Sequence, residues 1–144
     1  MTLTLKDARK RLPVVADLPK GRTRRFLTKE AEGPVPRPAL AVWELTLACD
    51  HRCLHCGPRA GEARPDELTT DEALRLVDDL AEAGVGEVVL IGGEAYLRND
   101  FLLVIRRIRE RGMSCTMTTG GLGLTRTRAD AMVEAGIESV SVSI

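Results

Sequence analysis

The 144 residues hold 44% hydrophobic and 29% charged side chains, which suffices to bury a core but amounts to no more than one domain. Aromatic residues make up 3%, which argues against a stacking surface for single-stranded nucleic acid, and no apolar run approaches the roughly 18 residues of a membrane span. Net charge is zero but unevenly placed: residues 1–38 carry ten Lys and Arg against four Asp and Glu, the remainder eleven against seventeen.

The N-terminus, Met1-Thr2-Leu3-Thr4-Leu5-Lys6-Asp7, has no secretory apolar region, so a cytoplasmic protein with neither membrane nor nucleic-acid partners is expected. In a reducing compartment four cysteines point to metal rather than to disulfides. Residues 1–38 read as a basic extension, punctuated by Pro13, Pro19, Pro34, Pro36 and Pro38. Its pattern allows a short helix at about 4–12, and it carries a basic patch, Arg22-Thr23-Arg24-Arg25-Phe26-Leu27, too short to define a nucleic-acid site. Its charge suits either a fold-back onto the acidic body or an acidic partner, and equally a solvated leader.

The pattern changes at Ala39. Residues 39–47 read as a buried strand, followed by a long loop, 48–68, that carries Cys49, Cys53 and Cys56 at a C-x3-C-x2-C spacing. Three thiolates in so short a segment can ligate three irons of a cubane [4Fe–4S] cluster. Four cysteines are usual for such a cluster, so one iron would stay open to a substrate. A structural zinc site is the competing reading, and it wants four ligands, commonly two C-x2-C pairs. Only one such pair is present, and His51 or His55 would have to complete the shell from within the cysteine segment.

Thr69-Thr70-Asp71-Glu72 fits a capping box opening a helix with Ala73, Leu76, Val77 and Leu80 on one face and a stop at Gly84. Glu87-Val88-Val89-Leu90-Ile91 reads as a strand covered on both faces and ends in Gly92-Gly93-Glu94. Asn99 is placed to cap a second helix, whose Phe101, Val104, Ile105 and Ile108 keep the helical period while Arg106, Arg107, Arg109 and Arg111 lie mostly on its solvated face. A third strand, Cys115–Thr119, a third helix at about 127–135 and a fourth strand, Ser139–Ile144, complete the chain. Cys115, inside a strand, reads as a small buried hydrophobe. Glu82–Val89 and Glu134–Ser141 echo each other as helix end, glycine stop and inner strand. Alternation at this spacing implies βαβ units and a parallel sheet, with the strand order left open. The cysteine loop, Gly92-Gly93-Glu94 and Thr118-Thr119-Gly120-Gly121 then fall together at the strands' C-terminal rim, where α/β folds gather their chemistry.

Trp43-Glu44-Leu45-Thr46 before C-x3-C-x2-C, followed by Ile91-Gly92-Gly93-Glu94, resembles the N-terminal half of the core of the radical S-adenosylmethionine (radical SAM) enzymes, over residues 39–144. The resemblance implies an α/β fold, the first four strands of a partial TIM-like (β/α)6 barrel. It implies that Cys49, Cys53 and Cys56 ligate a [4Fe–4S] cluster and that Gly92, Gly93 and Glu94 hold the amino group of SAM. Thr118 and Ser141 match positions that meet the ribose or carboxylate of SAM, and His55 stands where the family usually carries an aromatic ring. Ala95 replaces the Pro common after Gly-Gly-Glu. The implied activity is reductive cleavage of SAM to a 5′-deoxyadenosyl radical that abstracts hydrogen from a substrate, with electrons from a donor such as a flavodoxin or ferredoxin. The segment His55–Gly61 looks most like the peptide-modifying, SPASM-type group. Haem- or cofactor-biosynthetic enzymes are the alternative, and beyond enzymes an iron–sulfur electron carrier or a zinc-binding module. The expected fifth and sixth strands are absent, so the chain reads as a fragment truncated in its fourth strand and inactive alone.

Overall fold

A computed structural model of the protein describes residues 38–143. The basic extension up to residue 37, with the expected helix at 4–12 and the patch Arg22–Leu27, lies outside them, as does Ile144. The elements run β1 (Leu40–Thr46), α1 (Thr70–Glu82), β2 (Glu87–Gly92), a 3-10 turn (Ala95–Leu97), α2 (Phe101–Glu110), β3 (Ser114–Thr119), α3 (Arg126–Ala135) and β4 (Ser139–Val142). The four strands are parallel and lie in the order β1-β2-β3-β4. Each strand pairs with its neighbour in sequence, as in the wall of a barrel, with no reversal of the winding.

Alternation along the strands sorts the two faces of the sheet. Leu45, Val88, Leu90, Cys115 and Met117 point into one core with Ala73 and Val77 of α1 and Phe101, Val104, Ile105 and Ile108 of α2, all buried. The other face holds the intervening residues. There Val42 is 59% exposed, Val89 and Ile91 are half-buried, and Thr118 and Ser141 are exposed. The expectation that β2 is covered on both faces is thus met on the helix side only, since among the described residues no element packs over the other.

The helix boundaries follow their side chains. Thr69 caps α1 by accepting the Glu72 amide at 3.4 Å while the Glu72 carboxylate accepts the Thr69 amide at 2.8 Å. All three helices end the same way: after the left-handed glycine, the amides of Val85, Met113 and Ile137 donate to the carbonyls of Leu80, Ile108 and Met132 at 3.0, 3.1 and 3.0 Å. That shared ending is the structural content of the sequence echo.

Two details depart from expectation. The N-cap of α2 is Asp100, not Asn99, and its side chain makes no capping bond. The Asp100 carboxylate instead accepts from Arg98 at 2.6 and 2.9 Å and from the Thr70 hydroxyl at 2.6 Å, because a charged fork beside it outbids a lone amide. The arginines of α2 are not mainly a solvated face. Arg107 makes a two-pronged pair with Asp78 of α1 at 2.8 and 2.7 Å, Arg111 reaches the same carboxylate at 3.3 Å, and Arg109 pairs with Glu138 just before β4.

Candidate active site

The loop after β1 is shaped by polar bonds. It leaves the sheet at Thr46 and pairs with its own return arm: the Gly61 amide donates to the Leu47 carbonyl at 2.9 Å and the Cys49 amide to the Gly61 carbonyl at 3.0 Å. Glu67 pins the base, accepting from the Thr46 hydroxyl at 2.9 Å and from the amides of Leu47 and Arg64 at 2.8 and 3.0 Å. Partial burial pushes the Glu67 carboxyl up, but the donated amides and the hydroxyl outweigh it and leave it below the usual range. Arg64 adds an ion pair to Glu44 of β1 at 2.6 Å.

The fold brings Cys49, Cys53 and Cys56 into the lining of one open cleft of about 710 Å³, with Asp50, His51 and Arg59. That volume lies in the range of small-molecule sites. The His51 amide donates to the Cys49 sulfur at 3.4 Å and the Ala60 amide to the Cys56 sulfur at 3.3 Å. Amide bonds to sulfur are one of the means by which proteins tune iron–sulfur clusters. Burial holds the Cys49 thiol above its ordinary pKa, against the His51 amide. Cys115, the remaining cysteine, is buried in the core on the helix side, where desolvation pushes it up to about 12. It takes no part in the cleft.

The end of β2 lies against the same loop. The Gly93 amide donates to the Thr46 carbonyl at 2.8 Å and the Glu94 amide to the Ala48 carbonyl at 2.7 Å. A Cβ on Gly92 would collide with the Thr46 carbonyl, and one on Gly93 with that of Ala48. The two glycines therefore let β2 close against the backbone that leads directly into Cys49, a use not visible from the motif alone. Glu94 is buried, at 3% exposure, and its carboxylate accepts from the Thr119 hydroxyl and from the Gly120 amide, the latter at 2.7 Å. A carboxylate offers about four lone-pair sites, so acceptor capacity remains.

The other expected site residues divide. Thr118 and Ser141 are cross-strand partners on the helix-free face. His55 is exposed and does not line the cleft. The histidine that meets the site is His51. Its Nε2 accepts the Leu122 amide at 3.2 Å and lies 3.7 Å from the Glu94 carboxylate. Its ring covers Gly120 so closely that a Cβ there would stand 2.5 Å from Nε2. Tyr96, in the 3-10 turn, was also not anticipated. Its hydroxyl bonds to the Asp50 carboxylate at 3.0 Å and accepts the Gly123 amide at 2.9 Å. Burial, together with the Asp50 and Glu94 carboxylates, pushes the phenol up to about 12, so it stays a proton donor. The sequence marks His51 only as a possible zinc ligand within the cysteine segment, and nothing local marks Tyr96.

Three thiols on a strand-end loop, backed by a glycine-lined strand end, give an α/β protein with a donor set that fits a metal cofactor. The radical SAM superfamily model matches residues 43–144, and the chain belongs to that family. It is 36% identical over 108 residues to an AdoMet-dependent heme synthase of Methanosarcina barkeri, covering 74% of this chain and 31% of the relative. It is 40% identical over 106 residues to a GTP 3′,8-cyclase of Streptomyces coelicolor (69% and 31%) and 34% identical over 114 to a PqqA peptide cyclase of Ruegeria pomeroyi (78% and 30%). The chain spans about a third of the length of these curated relatives, all of which are enzymes. In fold it resembles BtrN, crystallised with AdoMet and 2-DOIA, with a TM-score of 0.63 at 21% identity over 73% of this chain and 45% of that one. The four parallel strands are thus the first part of the partial barrel. The family brings with it SAM and an iron–sulfur cluster, and the donor set fits: three cysteines share the cleft, two of them with amides on sulfur. Among the described residues no helix is long and apolar enough to cross a membrane.

Proposed function

We propose that this chain provides the cluster- and SAM-binding half of a radical SAM enzyme, with Cys49, Cys53 and Cys56 holding a [4Fe–4S] cluster. The observation that carries this reading is the count of thiols at the cleft: three line it, and Cys115 is buried in the core. Three ligands leave one iron free for SAM. Zinc would need a fourth donor; the carboxylates grouped with Cys49, Asp50 and Glu94, are engaged by the Tyr96 hydroxyl and by Thr119 and Gly120, His51 already accepts the Leu122 amide through Nε2, and His55 lies outside the cleft lining. When bound, such a cluster supplies the electron that cleaves SAM to methionine and a 5′-deoxyadenosyl radical, which abstracts a substrate hydrogen.

The chain's own residues bind and orient. Gly92, Gly93 and Glu94 present acceptors for the SAM ammonium beside Cys49. Thr118 and Ser141, adjacent on the helix-free face, offer hydroxyls to the ribose or carboxylate. His51, rather than His55, is the imidazole that closes over the rim. We read the substrate as a peptide, in line with the PqqA peptide cyclases among the relatives, and the electron donor as a flavodoxin or ferredoxin in the cytoplasm. The similarity to heme synthases supports a second reading, a tetrapyrrole-type small molecule.

EPR on the anaerobically reconstituted, dithionite-reduced protein, with and without SAM, tests the site. The expected result is a cubane signal that changes on adding SAM. Zinc without sulfide, or a cubane signal indifferent to SAM, overturns the assignment in favour of a binding module or an electron carrier.

A further inference from the structure

The rim carries a second set of bonds that the cofactor assignment does not use. Tyr96 is 3% exposed, yet its hydroxyl reaches two loops besides its own. It donates to Asp50, the residue after Cys49, at 3.0 Å, and accepts the amide of Gly123, in the loop between β3 and α3, at 2.9 Å. A phenol has one proton to give, and its oxygen accepts as well. Both capacities are spent on joining these loops. Arg128 of α3 lies 4.8 Å over the ring centroid and donates to the Gly123 carbonyl, so the ring is held from its face as well. His51, two residues after Cys49, makes a parallel tie through the Leu122 amide and the surface of Gly120.

We propose that Tyr96 is a positioning residue for Cys49: through Asp50 it fixes the first cysteine of the loop against the β3–α3 loop, so that the thiol is set before any cofactor arrives. The neighbouring ligands differ. Cys53 is exposed and sits in a tight turn closed by the Cys56 amide on the Cys53 carbonyl at 3.3 Å, with no bond to Tyr96. Cys49 is therefore the preset ligand and Cys53 the adaptable one. The functional weight of this inference rests on Cys49 being a cluster ligand, but its geometry is testable without any cluster.

The test is alkylation of the metal-free, reduced chain by iodoacetamide, with each cysteine followed by peptide mass spectrometry. Tyr96→Phe keeps the ring and removes the hydroxyl. It is expected to raise the Cys49 rate about fivefold, the release that loss of one buried hydrogen bond implies, while Cys53 and buried Cys115 keep their wild-type rates. Either Asp50 variant removes a carboxylate charge beside Cys49 and so quickens its thiol on its own, and the two are therefore compared with each other: Asp50→Ala is expected to exceed Asp50→Asn, whose amide oxygen still accepts the phenol proton, and adding Tyr96→Phe to Asp50→Ala is expected to change the rate no further. A Cys49 rate unchanged in Tyr96→Phe overturns the inference. So does an equal rise at all cysteines including Cys115, which reports general loosening. In the reconstituted protein, an altered EPR line shape in Tyr96→Phe at unchanged iron and sulfide content is the matching signature. If the wild-type chain takes up no cubane cluster, the proposed function fails while the alkylation pattern still decides the role of Tyr96.

Discussion

The helix-packed core and the rim at the strand ends are built from different forces. In the core, Val77, Val88, Leu90, Val104, Ile105, Ile108 and Cys115 are wholly buried and need only shape and apolar area. At the rim, Thr46, Glu94, Tyr96 and Thr119 are buried with polar atoms, and each is fixed by named hydrogen bonds. The core tolerates no lost volume but carries no chemistry. The rim carries the chemistry, and because its bonds are directional, small changes there act on position more than on stability.

The sharpest way to separate the two regions is Cys53→Ala. It is expected to abolish assembly of a stable cubane cluster, read as iron and sulfide per chain, while urea unfolding of the metal-free protein shifts by no more than about 0.5 kcal/mol, as for an exposed side chain. Ile105→Ala is the mirror image. The cavity it leaves costs about 2–5 kcal/mol in the same unfolding measurement, and any chain that remains folded binds its cluster as before. Gly93→Ala tests the junction: the new methyl meets the Ala48 carbonyl and forces the segment after β2 off the loop that leads into Cys49. A cost of about 1–3 kcal/mol is expected, with a weaker SAM-induced EPR change than in wild type. An unchanged SAM response would detach this segment from the cofactor.

The smallest effect is that of acid. Hydrogen bonding to Arg107 holds the Asp78 carboxyl below its ordinary value, and hydrogen bonding to Arg98 does the same for Asp100. A carboxylate with a lowered folded-state pKa contributes stability that is full above the unfolded value, near pH 4, and is lost as pH falls through the folded one. Thermal unfolding of the metal-free chain is therefore expected to be level from about pH 5 to 7 and to drop below about pH 4. Asp78→Asn should flatten part of that drop, because its pairing with Arg107 and Arg111 is removed at every pH.

Much of the core was legible because periodicity speaks directly about burial. Ala73, Val77, Phe101, Val104, Ile105 and Ile108 were all read from spacing, and Thr69 and Glu72 from the reciprocal logic of a cap. That Cys49, Cys53 and Cys56 share one cleft at the strand ends was legible because eight residues of loop after a strand leave them little room to part. What spacing cannot carry is the path of a loop. His51 and His55 sit four residues apart in one segment, and only the turn at Cys53–Cys56 decides that the first faces the rim while the second faces solvent. The N-cap falls on Asp100 instead of Asn99, and the Asp100 carboxylate is taken up by Arg98 and by Thr70 of α1 in place of a capping bond. The arginines of α2 found their partners on α1 and before β4, and Tyr96 its partners across two loops. These are contacts between distant segments, for which the local sequence holds no signal.

The consecutive strand order also bears on how the chain assembles. Leu40 pairs with Glu87, 47 residues on, whereas Glu87 pairs with Ser114, 27 residues on. Closing the longer loop costs somewhat more entropy, about 0.6 kcal/mol for each doubling of length. Thr116 pairs with Ser139, only 23 residues on, so β2–α2–β3 and β3–α3–β4 both have shorter routes to a parallel pair, and β1 joins a sheet already begun. Pulsed hydrogen exchange during refolding is expected to protect the amides of β2 and β3 before those of β1. The strand that leads into the cysteines is then the last to dock, so the cysteine loop stays open until the rest of the scaffold has formed.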